Sequence, residues 1–303
     1  MKQTPEQLAL HFRDVMLLER GLSKNTLAAY SSDLGKFFTW LAANDLAPVQ
    51  THRDHILAYM GSLLERGLSA RSAARVLSTL RRFFAFMVRE GYMKRDPSAL
   101  VDSPKIGRPL PHTLSEADVE KLLDSPDTSS TLGLRDRAML EMLYACGLRV
   151  SELVGLQMQQ INRNQGVLRV WGKGSKERLI PIGEEALAWL DRYLADARVD
   201  LLPTGAPVGD EGAFVFLSLR GKEMTRQTFW HAIKKHARRA DITGQLSPHT
   251  LRHAFATHLV NHDADLRVVQ LLLGHSDLST TQIYTHIARE RIKDLHATHH
   301  PRG

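Results

Sequence analysis

Cysteine is nearly missing from this sequence: its 303 residues contain one, Cys146. A single thiol rules out an internal disulfide framework and suits a reducing compartment. Also missing is any apolar run near the roughly 20 residues that a bilayer crossing needs. The opening stretch is interrupted by Glu6, Arg13 and Asp14, so it lacks the apolar centre of a secretory signal, and a cytoplasmic location is expected. His253 and His258 do not form the HExxH pattern of a zinc protease, and no metal site is expected. Gly172-Lys173-Gly174-Ser175 has the wrong glycine interval for a nucleotide-binding loop. There is no internal repeat and no low-complexity tract. What remains, with 43% hydrophobic and 24% charged residues, is the composition of a soluble globular protein.

The chain exceeds the size at which one core usually keeps growing, so about two domains are expected. Its net charge of +7 is unevenly spread. Residues 1–112 hold 16 Lys and Arg against 10 Asp and Glu, which leaves 24 against 23 for the remainder. A polyanionic partner would explain the excess, and so would simple solubility. The first third reads as helices. Ser23 caps one that carries Leu27, Tyr30, Leu34, Phe37, Phe38 and Leu41 at three-and-four spacing. A second runs from a Ser69 cap through Val76, Leu77, Leu80, Phe83, Phe84, Met87 and Val88 to a stop at Gly91. Arg71, Arg75, Arg82 and Arg89 share its other face, a stripe of roughly 27 Å at ~1.5 Å per residue. That length suits the phosphates along a DNA groove. Solvated charged faces are ordinary, but this helix has no acid before Glu90, and a merely solvated face usually mixes signs.

Pro97, Pro104, Pro109 and Pro111 cluster with Lys105 and Arg108, so a linker is expected over residues 97–112 between domains at 1–96 and 113–303. Ser115 with Asp118 opens the next helix, and the rest is mainly helical. The one strand-like interruption is Val167 to Ile182, where apolar residues flank the Gly172–Ser175 turn, and a β-hairpin is the economical assignment.

Four segments of the second domain carry groups suited to a phosphate. Gly147 ends a helix, and Arg149 then stands at the start of another with Glu152 one turn on. Lys173 sits on the two-glycine hairpin turn. Ser247-Pro248 reads as a cap and first-turn proline, and it sets His249 and Arg252 on one helix face. Gly274 closes a helix bearing Val268, Val269, Leu271 and Leu272; His275 follows on a turn, and Ser279 caps a short helix containing Tyr284. Taken singly, each has an ordinary explanation: a surface ion pair, a solvated loop lysine, a half-buried packing tyrosine.

Together, Arg149, Lys173, His249-x-x-Arg252, His275 and Tyr284, in this order and at these intervals, resemble the catalytic set of the tyrosine recombinases, the phage integrase family. The resemblance extends over essentially the whole chain. It implies a mainly α fold with a small β-sheet: an N-terminal four-helix SAM-like DNA-binding domain, then a catalytic domain ending in a helix (Ala288, Ile292, Leu295) that docks on a neighbouring subunit. It implies that Tyr284 attacks a phosphodiester to give a 3′-phosphotyrosyl bond, without a cofactor. Arg149 and Arg252 would clamp the phosphate and Glu152 would orient Arg149. His249 would accept the phenol proton, since a group of pKa ~10 needs help at neutral pH. Lys173 would protonate the leaving 5′-oxygen, and His275 would hydrogen-bond the phosphate. The implied partners are double-stranded DNA, a XerC-like recombinase in a cyclic heterotetramer with two of each, and an FtsK-type DNA translocase as activator, acting at a dif-like site in dimer resolution. A non-catalytic DNA-binding regulator and a type IB topoisomerase are the competing readings.

Overall fold

The computed structural model describes residues 3–104, 114–171, 177–203, 213–244, 246–273 and 296–302. The chain divides into two compact units, Met1–Leu110 and Pro111–Gly303. Among the described residues no helix is long and apolar enough to cross a membrane.

The described residues of the first unit form four α-helices: α1 (Pro5–Leu18), α2 (Lys24–Ala42), α3 (Arg53–Glu65) and α4 (Ala70–Arg89). Hydroxyl caps set three of their starts. The side chains of Thr4, Ser23 and Ser69 accept from the backbone N–H of Gln7, Thr26 and Ser72, satisfying donors the first turn leaves orphaned. Gly91, at φ +76°, ends α4 in the left-handed conformation that glycine tolerates. The apolar stripes read from the sequence turn inward: Leu34, Phe37 and Leu41 of α2 and Leu77, Leu80, Phe83, Phe84 and Met87 of α4 are buried. Phe12 of α1 meets Phe83 edge-to-face, and Phe84 meets Phe37 likewise.

The second unit is assembled around α6 (Thr131–Ala145), buried from Gly133 onward. Most of its buried polar groups find partners, Glu141 Oε2 being an exception among the described residues. Arg137 pairs with Glu141 at 2.9 Å, and Asp136 joins Arg135 at 2.7 Å and His236 at 3.0 Å. Around it lie α5 (Glu116–Asp124), α7 (Val150–Val154), α8 (Glu184–Arg192), α10 (Arg226–Arg239), α11 (Pro248–Asn261) and α12 (Leu266–Leu273). A π turn (Tyr193–Ala197) carries α8 into the short α9 (Arg198–Leu201). The expected hairpin is present as β2 (Val167–Trp171) and β3 (Glu177–Pro181), antiparallel, with Val170 opposite Arg178 and Leu168 opposite Ile180. The two-residue β1 (Ile161–Asn162) extends it to three strands. The fold is therefore mainly α with a small sheet.

The described end of the chain, residues 296–302, lies against its own unit. His296 donates from Nε2 to the Ala145 carbonyl at 2.7 Å and stacks on His300 at 4.8 Å between centroids. His300 also contacts the Tyr144 and Phe255 rings. Burial lowers the pKa of both imidazoles, that of His300 well below the ordinary histidine value. The docking-helix positions Ala288, Ile292 and Leu295 lie outside the described residues.

Candidate active site

Gly147 sets the geometry of the site. Its φ of +54° is unfavourable for any residue with a Cβ, and a Cβ there would lie 2.4 Å from the Phe255 ring. This tight turn ends α6 and brings Arg149, the N-cap of α7, beside α11. The Gly147 carbonyl accepts from Arg252 Nη1 on α11. Glu152, one turn into α7, accepts from the Arg149 backbone N–H and from Arg149 Nη1, both at 2.8 Å. The two arginines and the glutamate singled out from the sequence are thus gathered at one place.

A third arginine completes the group. Arg178 of β3 makes a fork against Glu152, at 3.0 Å from Nη1 to Oε1 and 2.8 Å from Nη2 to Oε2. Its Nε donates to the Leu272 carbonyl at 3.1 Å. Arg252 Nη1 stands 4.0 Å from the same carboxylate. Arg149 and Arg252 also donate to the Leu273 carbonyl, at 3.5 and 2.5 Å, so the guanidiniums cap the C-terminal end of α12. Sequence reasoning missed Arg178. The signal was available in the alternation of β3, since Arg178 falls in phase with the buried Ile180, and a charge on the inward face of a strand requires a partner.

Among the described residues, three guanidiniums around one carboxylate leave two uncompensated positive charges. Burial would raise the Glu152 pKa, but the hydrogen bonds and charge of Arg178, then those of Arg149, outweigh it and hold the carboxyl below its usual value. Burial, then the charge of Arg149, brings Arg252 down to about 10, with Glu152 opposing; it remains charged at neutral pH. Forked donors with a surplus of positive charge form a receptor for a phosphate.

His249 lies exposed in the first turn of α11, three residues before Arg252, on a helix started by the Ser247 cap and Pro248. The other two histidines of α11 differ. His253 is exposed, whereas His258 is buried between the Tyr144 hydroxyl and the Leu114 carbonyl, both at 2.8 Å, and serves the core. Lys173, His275 and Tyr284 lie outside the described residues, as do Lys105 and Arg108.

In the first unit the arginine stripe is more compensated than the sequence of α4 suggests. Arg75 forms a bidentate pair with the buried Asp33 of α2, which also accepts from Thr79 at 3.0 Å. Arg89 pairs with Glu19 at 2.6 Å and Glu90 at 2.9 Å, and Arg82 lies over the Tyr30 ring at 5.7 Å. The acids absent from α4 come from its neighbours. Arg71 is exposed. A basic surface that sequence reasoning overlooked lies instead on α10, where Arg226, Lys234, Lys235, Arg238 and Arg239 occur with no acid. Lys234 sits 3.6 Å from the Trp230 ring centre, in a groove of about 630 Å³ reaching Ser247 at the start of α11.

A guanidinium cluster at the meeting of α7, β3, α11 and α12, on a helical unit with a small sheet, has the donors and charge that binding a phosphate requires. Residues 112–291 match the Phage integrase family, and residues 11–91 match Phage integrase, N-terminal SAM-like domain. The chain belongs to this family, the tyrosine recombinases, enzymes that cut and rejoin DNA strands. It is 60% identical to the protein named Tyrosine recombinase XerD of Pseudomonas aeruginosa, over 96% of each chain. To the Vibrio cholerae protein of the same name it is 54% identical, over 99% of this chain and 98% of that one. Among solved structures, a lambda integrase (75–356) dimer bound to a COC' core site matches with a TM-score of 0.68 at 20% identity, covering 91% of this chain and 96% of that one. At that identity the likeness is one of fold.

Proposed function

We propose that this chain is a site-specific recombinase of double-stranded DNA that resolves chromosome or plasmid dimers at a dif-like site for segregation at cell division. The observation that carries the reading is the sharing of one buried carboxylate, Glu152, by Arg149, Arg178 and Arg252. A scissile phosphodiester carries one negative charge, and the transition state for attack places more on its non-bridging oxygens. Two uncompensated guanidiniums stabilise that added charge, and positioning with electrostatics is most of what phosphoryl transfer asks of a protein.

Tyr284 is the nucleophile in this scheme. It forms a 3′-phosphotyrosyl ester and releases a 5′-hydroxyl, and a 5′-hydroxyl from the partner strand later reverses the step. The ester retains the bond energy, so no cofactor takes part. His249 accepts the phenol proton, Lys173 protonates the leaving oxygen and His275 hydrogen-bonds the phosphate. Residues 1–96 form the DNA-clamping domain, with Arg71 and Arg82 toward the backbone, 97–112 the linker bearing Lys105 and Arg108, and 113–303 the catalytic domain. Its partners are a XerC-like recombinase in a cyclic heterotetramer, two of each, and an FtsK-type translocase as activator, all in the cytoplasm. The names and identities of the relatives support this assignment. So does the XerH recombinase bound to palindromic difH, matched with a TM-score of 0.67 at 22% identity over 96% of this chain and 83% of that one.

A suicide DNA substrate tests the proposal. The wild-type chain should form an adduct that survives denaturation and maps to Tyr284, and Tyr284→Phe should form none. An adduct retained in Tyr284→Phe would overturn it.

A further inference from the structure

We infer that Arg178 is a positioning residue of the phosphate clamp: by occupying both oxygens of Glu152 it keeps that carboxylate from quenching Arg149 and Arg252. The inference rests on the recombinase reading of this site. Arg178 cannot itself serve the phosphate. Its side chain is 7% exposed, and all three guanidinium nitrogens are committed inside the protein, two to Glu152 and one to the Leu272 carbonyl. It projects from β3 opposite Val170, so the sheet holds its fork fixed.

The charge count gives this arrangement its purpose. Glu152 and Arg178 form a neutral pair, and Arg149 and Arg252 then face the phosphate with two positive charges against one negative. As the transition state gathers a second negative charge, the match becomes complete. Without Arg178 the carboxylate turns its full charge on Arg149, already at 2.8 Å, and on Arg252, whose Nη1 is 4.0 Å from Oε2 and within reach after a small side-chain rotation. One uncompensated charge then remains. It suffices for the ground-state phosphate and not for the charge that develops during attack. Loss of Arg178 should accordingly slow cleavage far more than it weakens DNA binding.

The test uses the full chain and its Arg178→Met and Arg178→Lys variants. DNA affinity is read by mobility shift, and single-turnover cleavage is read on two suicide substrates: one with the native scissile phosphate, one with an uncharged methylphosphonate in its place. Arg178→Met should bind DNA within about threefold of wild type and cleave the native substrate about 10–100-fold more slowly. Arg178→Lys should recover part of the rate. The deficit of both variants should shrink several-fold on the methylphosphonate, whose transition state carries one negative charge instead of two and is matched by the single uncompensated guanidinium that remains. A merely structural role would give equal deficits on both substrates, and that result, or native cleavage at the wild-type rate, overturns the inference. Should Arg178→Met fail to fold, Arg178→Lys carries the same comparison. Failure of the wild-type chain to form any adduct would instead remove the recombinase reading beneath the inference.

Discussion

The two units each build an arginine–carboxylate cluster, and the clusters differ in their charge balance. In the first unit, among the described residues, Asp33 is matched by Arg75 alone, and Arg89 pairs with two acids. In the second, Glu152 is shared among three arginines. A balanced pair holds helices together and presents little field outside. An unbalanced group spends folding energy on confining like charges, which is sensible only where an anion is to arrive. Charge surplus, more than the presence of arginine, thus separates a structural contact from a candidate site.

The sharpest contrast is expected from deleting the two carboxylates. Glu152→Ala should destabilise the second unit by about 3–5 kcal/mol, because it strands three confined cations, and it should abolish cleavage. Asp33→Ala should cost the first unit less, about 1–3 kcal/mol, since Arg75 keeps access to water and mainly the Thr79 hydroxyl loses a buried partner. Its DNA cleavage, once bound, should be unchanged. Chemical denaturation of each variant beside a cleavage assay measures both quantities, and equal losses would erase the distinction between the clusters.

Buried histidines extend the comparison to the end of the chain. His296 and His300 have pKa values lowered by burial, so residues 296–302 are held fully above the ordinary histidine value near 6.5. As the pH falls below it, the undocked imidazoles take protons first, and docking weakens by at most about tenfold per pH unit for each histidine. Nearby titratable groups among the described residues include His258, His262, Glu141, whose pKa burial raises, and Arg302, which is 3.8 Å from Glu141 and 3.9 Å from Glu185. Carboxypeptidase digestion should therefore be faster at pH 5.5 than at pH 7.5, and less pH-dependent in His300→Phe. The smallest effect belongs to Arg89→Ala. Its exposed pairs with Glu19 and Glu90 are open to solvent, and no measurable change in thermal stability is expected.

Local signals in the sequence were legible because they act over three or four residues. The Ser23, Ser69, Ser115 and Ser247 caps, the stripes of α2 and α4, the Gly147 turn and the hairpin all have local causes. The convergence of Arg149, Glu152 and Arg252 was legible only through family resemblance, since α7 and α11 are far apart in the chain. What escaped was pairing across elements. Asp33 and Glu19 compensate α4 from α2 and from beyond α1, and Arg178 reaches Glu152 from a strand, contacts that no periodicity within one segment records. The basic face of α10 is legible in its own composition, yet acids elsewhere in the second domain cancel it in any charge sum over that domain.

In the proposed mechanism the surplus charge on Arg149 and Arg252 acts on the reacting phosphate. Its most direct test is the rate of covalent adduct formation by an Arg149→Ala/Arg252→Ala double variant, measured beside its affinity for the same DNA. That rate should fall at least about 10²-fold, with affinity for the duplex largely retained. Adduct formation at the wild-type rate by the double variant would contradict it.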